Sequence, residues 1–449
     1  MLATHTMPLA AAVTIFLVVL RLYQAAVLSR KRMALKQLHG ALPVQWSPSA
    51  ASPLARLTTL VSQVKSMAKR RFLEQLEAQL FSGGRTTVKT LLLGRSVVVT
   101  VDPVVYKAVW GQRNLQWNIH GDRVRAFDTY TGSGLLSAQG DSWRISRSLS
   151  QACFSRVNLL SADSLEVHAS SALSQIPGDG TVIDLPKLVN EYSRDTSLDF
   201  VFGESELLSG HSKSSDRLVL VDQLIQKSSR GTDVEAQLFN VVGAGQETTT
   251  ATLANLWHYV SKNPNVWRSL QADIASLGGK RPTLNQVRRL DYLRAVVDET
   301  LRLRATSPLV ERAATEDIII PAGGGPDGLS PALIRKGDIV QASLYAMHRR
   351  RDLYGPDAQE FRPERWLEKD DNGVKRLRPT GAFAPFSFGP RNCLGQEAAR
   401  STISYLVVRL CQTFDRIESA DDEPWTEHLS ATVTNVHGAK VRLFAREKE

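Results

Sequence analysis

One segment of the sequence places a cysteine in an unusual setting. In PFSFGPRNCLG, residues 385–395, Cys393 lies between Gly389 and Gly395, and Arg391 stands two positions before it. Most free cysteines are buried and inert, but that interpretation does not account for the glycines and the arginine. Glycine lets the backbone turn tightly and approach a flat partner, and the start of a helix favours thiolate over thiol. Such a thiolate, with a cation nearby for acidic groups, is what an axial ligand of haem iron requires.

A second segment, GAGQETT, combines small residues with an acid and a hydroxyl. Gly243 and Gly245 remove side chains where a helix would pass over a ligand. Thr248 can donate to the carbonyl of Ala244, which loosens the helix and leaves room for water. Glu247 and Thr248 together offer a proton route to a bound ligand. The alternative is an ordinary helix whose threonines face outward.

Composition limits the classes of protein that these segments could serve. The 449 residues carry 55 Lys and Arg against 45 Asp and Glu, a net charge of +10, and only three cysteines. Three cysteines form no disulfide framework and no zinc pattern, which indicates a reducing compartment. No nucleic-acid module is recognisable, so the basic charge favours a membrane surface or an acidic protein partner.

The N-terminus carries an apolar segment followed by positive charge. Residues 7–20 read MPLAAAVTIFLVVL, Arg21 interrupts the run, and a basic cluster follows it. A cleaved signal peptide would carry its charge first, whereas charge after the segment predicts an uncleaved anchor with a cytoplasmic body. We therefore expect a membrane anchor in residues 1–30 and a single domain in residues 31–449. The alternative is a buried N-terminal helix.

The hydrophobic patterns predict a small strand-rich part, a mostly helical body and a mixed C-terminal part. The expected elements are a β-hairpin over 87–102, helices over 140–154, from about Asp233 to Lys262 and over 394–414, a helix capped by Thr283, and a closing hairpin around His437-Gly438. The fold class is therefore mainly α with a smaller β part, that is, α+β.

The cysteine segment resembles the signature of the cytochrome P-450 family. The signature F-x-x-G-x-R-x-C-x-G is complete in Phe386, Gly389, Arg391, Cys393 and Gly395. In that family the cysteine is the axial ligand of haem iron, so the resemblance implies that Cys393 holds the metal. The resemblance extends from about Thr87 to the C-terminus, and the five fixed positions make the signal strong.

Further motifs of that family occur in the family's order. ETLR supplies Glu299 and Arg302, and FRPERW supplies Arg365, which the resemblance joins to that pair as a structural triad. AGQETT matches the oxygen-activation segment, in which Thr248 and Glu247 would be the catalytic residues that deliver protons. The residues that the resemblance places against the cofactor are Trp143, Arg147, Ala244, Gly245, Arg312, Phe386, Gly389, Arg391 and Gly395.

The resemblance implies a haem-thiolate monooxygenase with haem b as its cofactor. Because no dinucleotide-binding or flavin-binding segment is recognisable, electrons would come from a separate NADPH-cytochrome reductase at the endoplasmic reticulum membrane. The sequence is most similar to the fungal group that hydroxylates alkanes and fatty acids, which predicts a long-chain fatty acid or alkane as substrate. Two alternatives stay open: a tailoring oxidase for a polyketide or terpenoid in fungal secondary metabolism, and a haem-binding protein without turnover.

The segment over residues 206–232 is short. The family places two long helices there as the roof of the substrate pocket, and 27 residues would span only about 40 Å even as one continuous helix. We therefore expect truncated roof helices and an open distal face. Two explanations stay open, an enzyme with an unusually wide pocket and a mis-spliced gene model, and the second is favoured.

Overall fold

Helices predominate in this chain, and short strands form several small sheets, as predicted for an α+β protein. The computed structural model describes residues 6–81, 83–111, 116–154, 161–203, 220–227, 233–373, 375, 377 and 381–446. The helices are α1 (Thr6–His39), α2 (Pro53–Ala68), α3 (Phe72–Phe81), α4 (Pro103–Trp110), α5 (Gly121–Thr131), α6 (Gly140–Phe154), α7 (Ala162–Ser174), α8 (Leu185–Phe202), α9 (Leu220–Lys227), α10 (Val234–Ser261), α11 (Pro264–Ala275), α12 (Leu284–Arg288), α13 (Asp291–Leu303), α14 (Leu344–Met347), α15 (Arg351–Tyr354) and α16 (Gln396–Thr413). The strands are β1 (Thr87–Leu92), β2 (Arg95–Thr100), β3 (Trp117–Asn118), β4 (Asp179–Asp184), β5 (Leu309–Ala314), β6 (Ile318–Gly324), β7 (Ser330–Ile334), β8 (Ile339–Ser343), β9 (Phe414–Ser419), β10 (Glu427–Leu429), β11 (Val433–Asn435) and β12 (Lys440–Ala445).

The main sheet has five strands in the order β1-β2-β8-β5-β3. The predicted hairpin is present, with Thr87 of β1 opposite Thr100 of β2. Asp102 then caps α4, since its carboxylate accepts from the N–H of Val104 at 2.7 Å. Strand β5 pairs antiparallel with β8 and carries Arg312 opposite Val340. The sheet therefore places one of the sequence-predicted cofactor residues on a central strand.

The C-terminal strands pair differently from the sequence-based prediction. A hairpin was expected around His437 and Gly438, but the strands on either side of that turn belong to different sheets. Strand β11 pairs with β10, and β12 lies between β4 and β9. The expectation was wrong because β12 finds partners more distant in the chain.

The helical body packs around α8, α10, α13 and α16. Its largest core cluster joins these helices with α7 and α11, and Trp257 of α10 is completely buried there. Thr283 caps α12 through a capping box with Gln286, as the sequence predicted. The expected truncation of the roof helices concerns residues 204–219 and 228–232, which lie outside the described residues; between them α9 is described.

Helix α1 is long and apolar enough, from Ala11 onward, to cross a membrane, and that part has no buried residues. The alternative of a buried N-terminal helix is therefore wrong. Near its C-terminal end α1 is joined to the body, because Arg32 donates from Nε and Nη2 to the two carboxylate oxygens of Asp317 at 2.6 and 3.0 Å. This contact holds the candidate membrane anchor against the turn before β6.

Candidate active site

The cysteine loop, residues 386–395, is held against the end of α4. Gly389 has a φ of +72°, and a Cβ atom there would lie 2.0 Å from the carbonyl oxygen of Trp110, so only glycine fits. The Cys393 N–H donates to the Phe386 carbonyl at 2.9 Å. This bond closes the loop and fixes the backbone at Cys393.

The Cys393 thiol is accessible, yet protein atoms surround most of it. It lies just before α16, and the N–H of Gly395 donates to its sulfur. Burial raises the pKa of this thiol, while the Gly395 N–H and Arg147 act in the opposite direction. The Gly395 N–H at the start of α16 therefore favours thiolate, as expected, while desolvation of the charged form acts against it.

Three arginines from separate elements lie near one another beside the cysteine loop: Arg147 of α6, Arg312 of β5 and Arg391 of the loop. Burial, and then the charges of Arg312 and Arg147, lower the pKa of Arg391 to about 9. Burial, together with the charge of Arg123, lowers the pKa of Arg312 to about 10. Among the described residues, the hydrogen bonds of the three go to carbonyl and amide oxygens, and none forms an ion pair with a carboxylate. Because Arg312 and Arg147 disfavour the charged form of Arg391, the group is suited to binding an anion.

These arginines also stabilise the cysteine loop. Arg147 donates from Nη1 to the carbonyl of Asn392 at 2.6 Å and from Nη2 to the side-chain oxygen of the same residue. Arg391 donates to the carbonyl of Ala138 at 3.2 Å, and its guanidinium carbon lies 4.2 Å from the centre of the Trp143 ring. The buried Nη2 of Arg391 has no hydrogen-bond partner among the described residues. An anion at this position would satisfy that donor.

Sequence reasoning missed Arg123, Trp110 and Asn392. The Arg312 guanidinium carbon lies 5.5 Å from the centre of the Trp110 ring, and Arg123 is close enough to lower the pKa of Arg312. Asn392 stands at a variable position inside the cysteine motif, directly before Cys393, so the sequence could have indicated that it lies in the site. No sequence signal marks Arg123 or Trp110, whose proximity follows from the packing of α5 and α4.

Helix α10 contains the bond from the Thr248 hydroxyl to a helix carbonyl that its sequence predicts. The Thr248 hydroxyl donates to the Ala244 carbonyl at 2.7 Å, and the Thr252 hydroxyl donates to the Thr248 carbonyl at 2.8 Å. Side-chain donors that occupy helix carbonyls compete with the backbone N–H groups four residues later. Glu247 is exposed on this helix. The arrangement leaves a hydroxyl and a carboxylate adjacent on α10.

Gly245 serves the packing of α10 against α8. A Cβ atom at Gly245 would lie 3.1 Å from the hydroxyl oxygen of Ser197 on α8. At Gly243, by contrast, an added Cβ would meet no atom within 4 Å. The absence of a side chain at Gly245 therefore allows α10 to approach α8 closely. The cofactor contact expected of Gly245 stays a prediction.

Helix α10 and the cysteine loop are connected through the segment before α6. The N–H of Leu135 donates to the Gln237 side chain of α10 at 3.0 Å, and the N–H of Leu136 donates to the Asn240 side chain at 2.9 Å. Two residues later, the Ala138 carbonyl accepts a hydrogen bond from Arg391 of the cysteine loop. Within the described residues the Thr248 hydroxyl forms its hydrogen bond inside α10. The connection between α10 and the cysteine loop is therefore made by the segment 135–138, which forms hydrogen bonds with both.

Glu299, Arg302 and Arg365 form a fully buried ion cluster. Each carboxylate oxygen of Glu299 accepts from Arg302 at 2.8 Å, and Oε1 also accepts from Nε of Arg365 at 2.9 Å. Arg302 further donates to the carbonyl of His348 at 2.8 Å, and Nε2 of His348 accepts from the N–H of Ala384 at 3.2 Å. The cluster therefore supports the chain that leads into the cysteine loop.

Comparison with known proteins agrees with this site. The family model described as cytochrome P-450 matches residues 213–442. The chain is 31% identical to the cytochrome P-450 monooxygenase himC of Aspergillus japonicus, over 86% of this chain and 81% of the relative. It is 28% identical to the cytochrome P-450 monooxygenase FPY7 of Fusarium mangiferae, over 92% of each chain. It is also 29% identical to cytochrome P-450 52A3-A of Candida maltosa, over 78% of this chain and 81% of the relative. The chain therefore belongs to the cytochrome P-450 family of haem-thiolate monooxygenases.

Proposed function

We propose that this chain is a membrane-anchored monooxygenase that hydroxylates a long-chain fatty acid or alkane, using dioxygen and electrons from a separate NADPH-cytochrome reductase. The observation that carries the proposal is the pairing of an accessible cysteine, in a loop that only glycine can form, with arginines that lack a carboxylate partner among the described residues. A flat cofactor with a metal and two carboxylates matches both halves of that site.

The cofactor we propose is haem b. Cys393 would ligate the iron, and Arg147, Arg312 and Arg391 would hold the two propionates, one of which would satisfy the unpartnered Nη2 of Arg391. Because burial and the charges of Arg312 and Arg147 lower the pKa of Arg391, carboxylates beside it would stabilise its charged form. When bound, a thiolate-ligated haem supplies the activation of dioxygen.

We assign proton delivery to Glu247 and Thr248. The Glu247 carboxylate is exposed to water. The Thr248 hydroxyl donates to the Ala244 carbonyl at 2.7 Å, and a hydroxyl oxygen retains lone pairs that accept another proton. As a relay, the Thr248 hydroxyl would turn from the Ala244 carbonyl and give its proton to a water in the pocket. Its oxygen would take a replacement proton from water that Glu247 supplies, so that the hydroxyl is regenerated.

The substrate class rests on the resemblance of individual sequence segments to the fungal alkane and fatty-acid hydroxylases, not on overall identity, and on an exposed aromatic residue of α10. Phe239 lies one turn before Gly243 and is 57% exposed, on the face that also carries Glu247. An exposed aromatic ring beside an open helix face suits an aliphatic chain better than a polar molecule.

A tailoring oxidase for a polyketide or terpenoid is the second candidate. The chain is as similar to himC and FPY7, at 31% and 28% identity, as to 52A3-A at 29%. Identity at this level therefore does not favour the relatives named 52A over the others. A haem-binding protein without turnover is the remaining alternative, and measured product formation separates it from both enzymes.

The location we propose is the endoplasmic reticulum membrane, with the body in the cytosol. Helix α1 supplies the membrane anchor, and basic residues follow its apolar part. The net charge of +10 suits an acidic reductase that shares the membrane.

The test of the haem-thiolate assignment is the spectrum of the reduced carbon-monoxide complex. Cys393→Ser should abolish the band that reports thiolate ligation, because a hydroxyl is not an equivalent donor. Cys411→Ala is the matched control, since Cys411 is a free cysteine that is buried in α16, and it should keep the band. Survival of the band in the Cys393 variant would refute the assignment.

The substrate is tested by reconstituting the full chain with an NADPH-cytochrome reductase and NADPH. A panel of fatty acids, alkanes and polyketide or terpenoid intermediates should yield hydroxylated products chiefly from the first two classes. Products from the third class alone would favour the tailoring oxidase. NADPH-independent haem binding with no product from any class would favour a protein without turnover.

A further inference from the structure

Arg123 of α5 carries a positive charge that forms no ion pair within the described part of the chain. Its guanidinium has no hydrogen bond to a described residue, and its buried Nε is without a partner there. Burial lowers the pKa of Arg123, and the nearby carboxylate of Glu311 only partly offsets this effect. By contrast, Arg95 and Arg125 both pair with Asp122. A largely buried guanidinium without a carboxylate partner indicates a place for an anion.

Helix α5 begins beside the arginines of the candidate active site. Strand β3 leads into α5 and pairs with β5, so that Asn118 lies opposite Ala313, the residue after Arg312. Arg123 follows Asn118 by five positions and is close enough to Arg312 to lower the pKa of that residue. The pairing of β3 with β5 therefore adds Arg123 to the group of arginines as a fourth cation.

The cofactor proposed for this site has two carboxylates, and three arginines are already assigned to them. Arg391 stands near both Arg147 and Arg312, whose charges lower its pKa, whereas the charge of Arg123 acts on Arg312. Arg123 therefore stands at the end of the group away from Arg147 and from the cysteine loop that Arg147 binds. An anion other than the cofactor's own carboxylates would fit at that end.

Two aromatic residues continue along α5 on the side that carries Arg123. At 3.6 residues per turn, Arg123, Phe127 and Tyr130 lie within an arc of about 60° on a helical wheel. The Arg123 guanidinium carbon lies 5.3 Å from the centre of the Phe127 ring, and Tyr130 is 85% exposed. At its end α5 contacts α10, since Nδ2 of Asn240 donates to the carbonyl of Thr131 at 3.3 Å. This side of α5 therefore leads from a cation over aromatic surface to α10.

We propose that Arg123 binds the carboxylate of a long-chain acid substrate, whose hydrocarbon part lies along Phe127 and Tyr130 toward α10. A guanidinium suits a carboxylate because its N–H groups match both oxygens, and partial burial strengthens such a bond. This assignment rests on the proposed function and narrows the substrate from a fatty acid or alkane to the fatty acid. An alkane would leave the guanidinium of Arg123 without a partner.

The test compares a saturated fatty acid with its methyl ester and with the alkane of the same chain length. Each is titrated into the haem-reconstituted full chain, and the dissociation constant is taken from the change in the ferric absorption spectrum. The wild type should bind the acid about tenfold more tightly than the ester, because the ester cannot form a charge-assisted hydrogen bond. Arg123→Gln should remove this preference and leave the dissociation constants of the ester and the alkane nearly unchanged. Arg123→Lys should retain part of the preference, because it keeps the charge.

Arg125→Gln is the matched control, since Arg125 lies on the same helix, is exposed and pairs with Asp122, and it should keep the preference for the acid. Equal weakening of all three ligands by Arg123→Gln would indicate a purely structural role, and loss of haem from that variant would indicate contact with the cofactor; either result would overturn the assignment. A wild type that binds the acid and the ester equally would also overturn it, while the proposed function could still stand with an alkane as substrate. A wild type that binds none of the three ligands would refute the proposed function, and this assignment with it.

Discussion

Replacing Glu299 with glutamine tests whether the buried ion cluster holds the fold around the cysteine loop. Glu299 is completely buried and accepts five hydrogen bonds, three at Oε1 and two at Oε2, from Arg302, Arg365, the N–H of Arg362 and the indole of Trp366. Glutamine keeps the shape but has one acceptor oxygen. Whichever way the amide is turned, at least two donors lose their acceptor and face an NH₂ group.

The magnitude follows from the loss of the Glu299 charge, which among the described residues is the one carboxylate paired with Arg302. Breaking a buried ion pair by removing one partner costs about 3–5 kcal/mol, a large part of the roughly 5–15 kcal/mol that separates folded from unfolded chains. With an m value in urea of at least roughly 3 kcal/mol per M, the unfolding midpoint should fall by at most about 1–1.7 M.

The assay is urea unfolding of the detergent-solubilised full chain, followed by tryptophan fluorescence. The matched control is Glu364→Gln, because Glu364 lies in the same segment, is exposed, and accepts a single bond from the Tyr292 hydroxyl at 2.6 Å. Exposed pairs contribute at most about 1 kcal/mol, so the control should move the midpoint little. Equal midpoints for the two variants would refute the view that the cluster stabilises the fold through its buried charge.

Four other outcomes are expected. Thr248→Ala should retain haem but divert reducing equivalents to peroxide, because the relay hydroxyl is lost; unchanged coupling of NADPH use to product would remove Thr248 from that role. Gly389→Ala should release the cysteine loop from α4 and lower haem retention, and full retention on a desalting column would contradict the close approach seen at Gly389. Burial lowers the pKa of His348 from 6.5 to about 3, so the unfolded chain binds more protons than the folded chain between these pH values. The stability present above pH 6.5 should therefore fall as the pH decreases. A His348→Gln variant whose urea midpoint has the same pH dependence would show that another group is responsible. The 449-residue chain should hold haem weakly, and a translated intron-like segment restored near Gly210 should recover a stable ferrous carbon-monoxide complex; regioselective turnover by the chain itself would show that the roof is dispensable.

The comparisons bear on that last expectation. The match to FPY7 runs over 490 aligned positions although it covers 92% of a 449-residue chain, and the match to himC runs over 458 positions with 86% coverage. The alignments therefore include many positions at which the relatives have residues and this chain has none. This supports the proposal that a segment present in the relatives is missing here.

The elements of the site could be predicted from the sequence where local chemistry decides the structure. The caps at Asp102 and Thr283 and the back-bonded hydroxyl of Thr248 depend on neighbours within four residues, and each is present. The cysteine loop also followed from its own motif, since Gly389 is required by the close approach to Trp110.

Features that depend on distant contacts could not be predicted. The net pKa of Cys393 is decided by how much protein surrounds it, and the partners of β12 are decided by strands far away in the chain. The orientation of α2 is a further feature of this kind. Its apolar residues Leu57 and Val61 are exposed, while Gln63 is buried and forms hydrogen bonds with the β1–β2 turn. The hydrophobic pattern of that helix alone would have predicted the opposite orientation.

The bidentate contact between Arg32 and Asp317 makes α1 a stiff stem rather than a flexible tether. A helix of 34 residues is about 51 Å long, and the hydrocarbon core of a bilayer takes up about 30 Å of that length. In the proposed anchoring, the remaining part of α1, which includes Arg32, would lie in the headgroup and aqueous layers and contact the body through Asp317. This contact would restrict the tilt of the body relative to α1, and rotation about the membrane normal would be the main freedom left. A redox partner in the same bilayer would meet the body by diffusing in a plane and matching one angle, instead of searching three dimensions and three angles.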